Sequence, residues 1–186
     1  METAALNRLR QFSGRSRAVE RCDLCGSDVA SEHEHLLDVV ERRLLCACGA
    51  CAVLFERTTT RKRVPRRVRL LEDLHVSDAQ WDALNIPINL AFFVDSTPHQ
   101  RVVAYYPSPA GAIESLLTLG ADLIPPMAAD VEALLVNRSA PEYFIAPIDQ
   151  CYRLVGLIRT QWAGLSGGTK VWASIAEFFN DLRHRA

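Results

Sequence analysis

The stretch that decides the fold is Cys22-Asp-Leu-Cys25-Gly26, together with its counterpart Leu45-Cys46-Ala-Cys48-Gly-Ala-Cys51. Each stretch contains a Cys-x-x-Cys pair, and 22 residues separate the two pairs. This spacing is typical of a metal site, because a tetrahedral ion readily takes four thiolates from two short turns. The predicted metal ligands are Cys22, Cys25, Cys48 and Cys51.

Length and composition describe a globular chain without membrane or secretion signals. The 186 residues suffice for one ordinary domain and a small one. No apolar run reaches the roughly 18 residues of a membrane span. The chain begins Met1-Glu-Thr, which lacks the apolar core of a signal peptide. We therefore expect a cytoplasmic protein, in which the six cysteines act as metal ligands or reduced thiols.

Charge is distributed unevenly along the chain. Residues 1–70 hold 14 basic and 9 acidic side chains, whereas residues 71–186 hold 7 and 13. Residues 57–69 form a basic strip without any acidic residue. It predicts either a surface for an anionic partner, such as nucleic acid, or a connector that docks on the acidic second part. The second explanation is favoured, because the same chain supplies the opposite charge.

The basic strip also indicates a division of the chain. We predict a zinc-ribbon-like metal module over residues 16–57, a basic linker over 58–67 and an α+β domain over 68–186. The module is too small to bury a sufficient core, so the metal would be part of its folding. Within and before the module we predict a helix over residues 1–14, hairpin arms over 36–40 and 43–46, and a strand over 52–55.

The second part mixes short strands with helices. Apolar runs at residues 88–94, 101–106 and 143–146 predict strands, and the run at 131–136 fits a strand or a helix. Helices are predicted to begin after Ser77, at Ser108, at Pro147 and after Thr169. The fold class is therefore α+β, with a mostly antiparallel sheet covered by helices on one side.

The identity of the metal is predicted from the residues around the two pairs. A rubredoxin-like iron site usually has glycine after each pair and aromatic side chains nearby. Here Gly26 follows the first pair, but Ala52 follows the second, and no aromatic residue adjoins the first. Zinc is therefore favoured over iron, in a closed four-thiolate site that has a structural role.

Three further residues near the pairs could contribute to metal chemistry. Cys46 could replace Cys48 as a ligand, but a one-residue Cys46-x-Cys48 pair is strained for a tetrahedral ion. On a strand these two cysteines would point to the same face, so we expect Cys46 to lie just outside the ligand shell. His33 and His35 could bind a second metal or replace a cysteine, but side chains of this kind are more often exposed turn residues.

The second part offers no convincing catalytic set. Cys151 lies near a predicted helix start, where a thiol can be activated, but no histidine is placed to partner it, and a buried cysteine is favoured. Residues 106–115 could bind an anion at a helix start, although a helix start without ligand is favoured. The turn at residues 162–168 could line a pocket. We therefore nominate no catalytic residue.

Several segments resemble a mainly actinobacterial family of unknown function, over roughly residues 20–182. The matching segments are Cys22-Asp-Leu-Cys25, Cys46-Ala-Cys48-Gly-Ala-Cys51-Ala-Val-Leu-Phe55, Tyr106-Pro-Ser-Pro-Ala-Gly111-Ala-Ile-Glu-Ser115, Asp130-Val-Glu-Ala-Leu-Leu135 and Pro147-Ile-Asp-Gln-Cys151-Tyr-Arg-Leu-Val-Gly156. The resemblance implies a zinc-ribbon-like front and an α+β body. Members are often encoded near genes for nickel–iron hydrogenases and their maturation proteins, which implies an accessory role but supplies no catalytic residues.

Three functional hypotheses follow. The first is a zinc-binding accessory or assembly protein that acts through protein–protein contacts, with a hydrogenase subunit or maturation factor as the implied partner. The second is a rubredoxin-like iron protein that carries electrons for such a complex. The third is a nucleic-acid-binding zinc ribbon, which is not favoured. An enzyme built around Cys151 or residues 106–111 is a further, weaker alternative.

Overall fold

The computed structural model of the protein describes residues 20–56, 58 and 60–186. The helix predicted over residues 1–14 lies outside this range, as do residues 16–19 of the predicted metal module and Arg57 of the basic strip. Within the described residues the fold is α+β and both sheets are antiparallel, which confirms the predicted class.

A small sheet carries the cysteine-rich end of the chain. Its strands are β1 (Glu34–Asp38), β2 (Arg43–Ala47) and β3 (Arg61–Arg63), in the order β2-β1-β3. The predicted hairpin is confirmed, and Arg42 in its turn has a positive φ of 53°. Strand β3 falls inside the segment predicted as a linker and pairs with β1 through Asp38 and Arg61, Leu37 and Lys62, and Leu36 and Arg63.

The strand predicted over residues 52–55 is wrong, because this segment belongs to helix α1 (Gly49–Phe55). Cys48 is the residue that caps this helix, and its sulfur accepts a hydrogen bond from the Cys51 N–H. The second Cys-x-x-Cys turn therefore continues directly into a helix. A run such as Ala-Val-Leu-Phe fits both structures by hydrophobicity alone, so periodicity could not decide between them.

The large sheet has six strands in the order β4-β9-β8-β5-β6-β7. The strands are β4 (Arg69–Leu70), β5 (Leu90–Ser96), β6 (Arg101–Ser108), β7 (Gly111–Glu114), β8 (Glu132–Asn137) and β9 (Glu142–Pro147). The segment over residues 131–136, which the sequence left open, is thus a strand. It lies near the centre of the sheet, where both faces are buried and alternation of polar residues is not required.

Helices cover one face of this sheet and shorter segments cover the other. On the first face, helices α3 (Ile148–Gln161) and α4 (Gly168–His184) pack on alternate strand residues such as Phe92 and Phe144. On the opposite face, alternate residues such as Phe93 and Ile145 contact helix α2 (Asp78–Asp82) and irregular chain. Helix α2 begins with the predicted Ser77 cap, which forms a complete capping box with Gln80.

Two predicted helix starts are wrong. Ser108 does not begin a helix but ends β6, and Gly111, with φ of 125°, begins β7 after a tight turn. The Ser108 hydroxyl closes this turn by donating to the Gly111 carbonyl and accepting from the Ala110 N–H. The last helix is preceded by Gly167, with φ of 85°, so Thr169 is not its cap.

The small sheet shares its core with the large one. Leu37, Val39 and Val64 belong to the same buried cluster as the residues of α3 and α4. The Arg42 guanidinium also lies 4.8 Å from the ring centre of Tyr105 on β6. The core is therefore continuous across the predicted linker, and the division of the chain into separate domains stays a prediction.

An ion pair joins the two sheets at the edge of this shared core. Lys62 Nζ on β3 lies 2.7 Å from Asp130 Oδ2, and the Asp130 side chain is only 5% exposed. The same carboxylate accepts hydrogen bonds from the Thr97 N–H at 2.8 Å and the Thr97 hydroxyl at 2.7 Å. Burial opposes ionisation of Asp130, but the bonds from Lys62 and Thr97 outweigh it and lower the pKa of the carboxyl.

We expect Asp130→Asn to lower the free energy of unfolding by roughly 2 kcal/mol, because it leaves the Lys62 ammonium without its buried partner. Asparagine has a similar shape and tolerates the positive φ of 70° at this position. The loss of stability therefore measures the removal of the Asp130 charge and not a change in backbone conformation. Urea unfolding of the wild type and the variant at pH 7 measures it.

The difference in unfolding free energy between the wild type and Asp130→Asn should also depend on pH, and it should shrink as the pH falls. Because the pKa of Asp130 is lowered by folding, its contribution is complete above the unfolded-state pKa of about 4 and disappears as the pH falls through the lower folded-state pKa. The wild type and Asp130→Asn should converge in stability below about pH 4. A difference that stays constant down to pH 2 would contradict this assignment.

Candidate metal centre

The structure brings the four predicted ligands together. One sulfur from each of Cys22, Cys25, Cys48 and Cys51 lies within 4.8 Å of the other three. Cys22 and Cys51 are buried, Cys48 is half-buried and Cys25 is exposed. The cluster is therefore closed on its inner side and reaches the surface at Cys25.

The first turn holds its cysteines through a compact backbone loop. The Gly26 N–H donates to the Cys22 carbonyl at 2.8 Å, and the Cys22 N–H donates to the Ser27 carbonyl at 2.8 Å. Gly26 has a φ of 74°, a conformation that glycine adopts without strain. The Ser27 hydroxyl lies 3.0 Å from the Cys25 sulfur. These contacts direct both sulfurs of the first pair to the same side.

Asp23 fastens the first turn to strand β2. Its N–H donates to the Cys46 carbonyl at 2.8 Å, and its carboxylate accepts from the Cys46 N–H at 2.6 Å. The two Cys-x-x-Cys turns are therefore held together by protein contacts as well as by any ion. A small buried cluster that includes Leu36, Leu45 and Ala52 supports them from inside.

The electrostatics of the cluster favour ionisation of two thiols before any ion binds, because the pKa values of Cys22 and Cys48 are both lowered. Burial opposes ionisation of Cys22, but backbone N–H groups of Cys48, Leu24 and Cys25 point at its sulfur and lower its pKa to about 6. In contrast, burial and hydrogen bonds with its neighbours, led by Cys48, raise the pKa of Cys51 to about 12. Binding of a cation would replace the protons that the remaining thiols hold.

One sulfur–sulfur distance in the cluster matches that expected around a tetrahedral thiolate-bound ion. An ion with metal–sulfur distances of about 2.3 Å sets its sulfurs about 3.8 Å apart. The Cys25 and Cys48 sulfurs are 3.8 Å apart. Four sulfurs without an oxygen ligand suit zinc or iron rather than magnesium or calcium. The four close cysteines can therefore hold a metal ion with a soft ligand preference.

The remaining cysteine of this region lies in a different cluster. Strand β2 ends at Ala47 and Cys48 caps helix α1, so strand alternation does not place Cys46 and Cys48 on one face. Instead, Cys46 lies with His33 and His35, and one ligand atom from each is within 4.8 Å of the others. The His33 side chain is only 7% exposed, so the expectation of an exposed turn residue is wrong for it.

The basic strip is largely neutralised by the chain itself. Arg63 contacts Glu34 at 3.0 Å and Glu56 at 3.4 Å, and Arg66 contacts Glu34 at 3.0 Å. The ion pair between Lys62 and Asp130 is described above. The hydrogen bond from Arg63 favours ionisation of Glu34 and outweighs the opposing effect of burial. The pKa of Glu34 is therefore lowered. Lys62 contacts an acidic residue of the second part, as the favoured connector requires, whereas Arg63 and Arg66 contact carboxylates of the first part. The strip therefore packs within the chain, but only part of it docks on the acidic second part.

The second part of the chain contains an open cleft and a buried cysteine. Cys151 is completely buried, and burial raises the pKa of its thiol, as expected for a structural cysteine. Residues 106–109 and the turn around Leu165 line one open cleft of about 530 Å³. Sequence inspection singled out both segments but missed their proximity, because about 50 residues separate them and no local pattern links them.

Comparison with known proteins places the chain in a family. The description "Family of unknown function (DUF5947)" belongs to the family whose sequence model matches residues 21–186, so the chain belongs to this family. No curated protein and no solved structure gives a significant match. Among the described residues, no helix is both long and apolar enough to cross a lipid bilayer.

We expect removal of the bound ion by a chelator at neutral pH to loosen the cysteine-rich end selectively. The cluster around Leu36 and Leu45 is small, whereas strands β5 and β8 lie in the large core. Amide hydrogen exchange should accelerate in residues 22–29 and 45–55 and stay slow in β5 and β8.

The control is Cys25→Ser, which should show the same fast exchange before the chelator is added. If residues 22–29 and 45–55 exchange at the same rate with and without chelator, the ion has no structural role.

Proposed function

We propose that this member of the DUF5947 family is a zinc-binding accessory protein that binds a protein partner through the cleft of its large domain. The zinc has a structural role, and the cysteine-rich sheet stiffens one side of the body. The observation that carries the proposal is the cleft itself, because a tryptophan-containing segment and two proline-containing segments converge on it and none of its lining residues is charged.

The cleft presents flat apolar surfaces to solvent. The Trp162 and Trp172 rings meet edge to face with centres 6.1 Å apart. Their indole N–H groups are already satisfied, by the Gly164 carbonyl at 3.0 Å and the Ser166 carbonyl at 2.9 Å. Leu165 is completely exposed beside them. The two indole rings can therefore pack against an apolar ligand that has no hydrogen-bond acceptor for them.

This lining indicates the chemistry of the occupant. The opposite wall is formed by residues 87–89 and 106–109, which include three prolines and no charge. Aromatic and proline-lined grooves bind extended apolar or proline-rich segments, because such segments lose little conformational freedom on binding. We propose an uncharged, apolar segment of a protein partner, and the family resemblance points to a nickel–iron hydrogenase subunit or maturation factor in the cytoplasm.

The distribution of charge supports a protein rather than a nucleic acid as the partner. Binding to a phosphate backbone needs several free cations, and each contact adds to a steep salt dependence. Here Lys62, Arg63 and Arg66 already contact carboxylates of the chain. The basic strip therefore supports packing within the protein more than contact with phosphates.

One observation favours iron as an alternative to zinc. Cys25 is exposed, and an iron–thiolate centre that transfers electrons needs a ligand near the surface. Against this, alanine and not glycine follows the second pair, and no aromatic residue adjoins the first pair. We therefore retain zinc as the proposed ion and the electron carrier as the second candidate.

The identity of the ion can be read directly from protein purified aerobically from its native host. We expect a colourless protein with zinc at the four-cysteine cluster, because zinc has a filled d shell and no visible transitions. Elemental analysis and a visible spectrum of the same sample are the measurements. A red sample with stoichiometric iron would establish the electron-carrier alternative instead.

The docking surface can be tested with a matched pair of leucines. Leu165 lines the cleft, whereas Leu116 is 97% exposed and lies outside it. We expect Leu165→Glu to weaken partner binding about tenfold or more, because it puts a charge into an uncharged apolar contact. Leu116→Glu introduces the same charge at an equally exposed site and should leave binding unchanged.

The measurement is affinity purification of each variant from the native host, with hydrogenase subunits and maturation factors quantified by mass spectrometry. Recovery of these proteins with the wild type and Leu116→Glu, and their loss with Leu165→Glu, is the expected result. Absence of hydrogenase proteins from the wild-type sample, or equal recovery with both variants, would overturn the proposal.

A further inference from the structure

The pairing of β1 with β2 places a histidine and a cysteine directly opposite each other. His35 and Cys46 are partners in the register of this antiparallel pair, so their side chains emerge on the same face. His33 precedes β1 by one residue, and its ring centre lies 4.8 Å from that of His35 at an angle of 70°. One ring nitrogen of each histidine and the Cys46 sulfur lie within 4.8 Å of one another.

Both imidazole rings are oriented by a contact at Nδ1. His33 Nδ1 lies 2.8 Å from the Ala30 carbonyl oxygen, and His35 Nδ1 lies 3.0 Å from Asp149 Oδ2. A neutral histidine that donates from Nδ1 carries its free lone pair on Nε2. Histidines that bind metals usually have this arrangement, in which a carbonyl or carboxylate fixes the ring from behind.

The Nε2 atom of His33 has no hydrogen-bond partner among the described residues and is buried. Its side chain is 93% buried, because only 7% of it is exposed. A buried polar atom without a partner costs about 1–3 kcal/mol, and native structures seldom contain one without a reason. A cation bound at this position would satisfy the atom.

We infer that His33, His35 and Cys46 form a second metal site, which binds a divalent transition ion beside the four-cysteine cluster. Two imidazoles and one thiolate favour ions such as Zn²⁺, Co²⁺ and Ni²⁺ over Mg²⁺ and Ca²⁺. Glu20, whose carboxylate lies 3.5 Å from His33 Nδ1, and Asp149 add negative charge around the cation.

The two sites are separate because they use opposite faces of β2. Leu45 and Ala47 face the buried cluster of the four-cysteine site, and Cys46 between them projects from the other face. The second site therefore has its own ligands, and it can be filled or emptied while the first keeps its ion.

The number of protein ligands distinguishes the two ions. Four thiolates close the first coordination sphere, whereas three ligands leave one tetrahedral position for water or for an incoming ligand. The ion of the second site is therefore the exchangeable one. This site is independent of the proposed docking function, since none of its ligands lines the cleft.

The test uses the full chain with zinc already bound at the four cysteines, titrated with Co²⁺ and followed by native mass spectrometry and visible absorption. The wild type should bind one further ion per chain, with the tetrahedral ligand-field bands and a thiolate-to-cobalt band. Binding of no further ion by the wild type would overturn the inference.

Three variants and one control assign the ligands. His33→Ala/His35→Ala should bind the further ion at least about tenfold more weakly, and Cys46→Ser should also lose the thiolate-to-cobalt band. Asp149→Asn, at a positioning residue, should weaken binding about tenfold but keep that band. His75→Ala, at an exposed histidine outside the cluster, should behave as the wild type. Unchanged affinity in Cys46→Ser or in the double variant would overturn the inference.

A measurement on the wild type alone tests the histidine ligands even if the variants fail to fold. Long-range proton–nitrogen spectra should show the Nε2 signals of both His33 and His35 shifting on addition of Zn²⁺ beyond the first equivalent, while Nδ1 stays protonated. If neither Nε2 signal moves, the histidines are not ligands.

Discussion

The register of the hairpin formed by β1 and β2 is the constraint on which the rest of the structure depends. In this register Leu36 pairs with Leu45 and Leu37 pairs with Leu44. The first pair supports the four-cysteine cluster, whereas Leu37 and Leu44 pack against the core of the large domain. A slip of one residue would exchange the two faces, remove the support of the cysteines and expose apolar surface on the other side.

Polar contacts from β1 and β3 also join the small sheet to the rest of the protein. Lys62 on β3 reaches the buried carboxylate of Asp130, and His35 on β1 reaches Asp149 at the start of α3. At these two contacts, side chains of the small sheet meet carboxylates of the acidic second part of the chain. The cleft around Trp172, by contrast, is open and has no charged residue in its lining.

The cysteine cluster that can hold a metal ion and the cleft proposed for a partner consequently use different residues. In the proposed function the four-cysteine cluster holds a zinc ion that stabilises the small sheet, and an ion closed by four thiolates leaves no position for a substrate. The cleft is formed by the large domain alone, far along the chain from the cysteines. The cluster of His33, His35 and Cys46 lies on the β1–β2 hairpin and shares no residue with either the four-cysteine cluster or the cleft.

The sequence by itself determined the features that depend on short-range chemistry. Two Cys-x-x-Cys turns, the hairpin between Leu36 and Cys46, the Ser77 cap and the α+β class were predicted because spacing, capping and alternation act within a few residues. Only the tertiary structure decided that residues 52–55 continue the Cys48 turn as a helix and that Ser108 closes a hairpin. Both segments are compatible with two local structures, and contacts with the rest of the chain select one.

The tertiary structure alone also placed Cys46 with His33 and His35, and residues 106–109 with Trp162 and Leu165. In the first case the cause is cross-strand pairing, which joins residues about ten positions apart in a register that sequence spacing does not reveal. In the case of the cleft, the cause is the packing of two helices on the large sheet, which brings together segments about 50 residues apart. The spacing of the cysteine pairs can be recognised within a few residues of sequence, whereas a cleft and a cross-strand site form only when the sheet brings distant residues together.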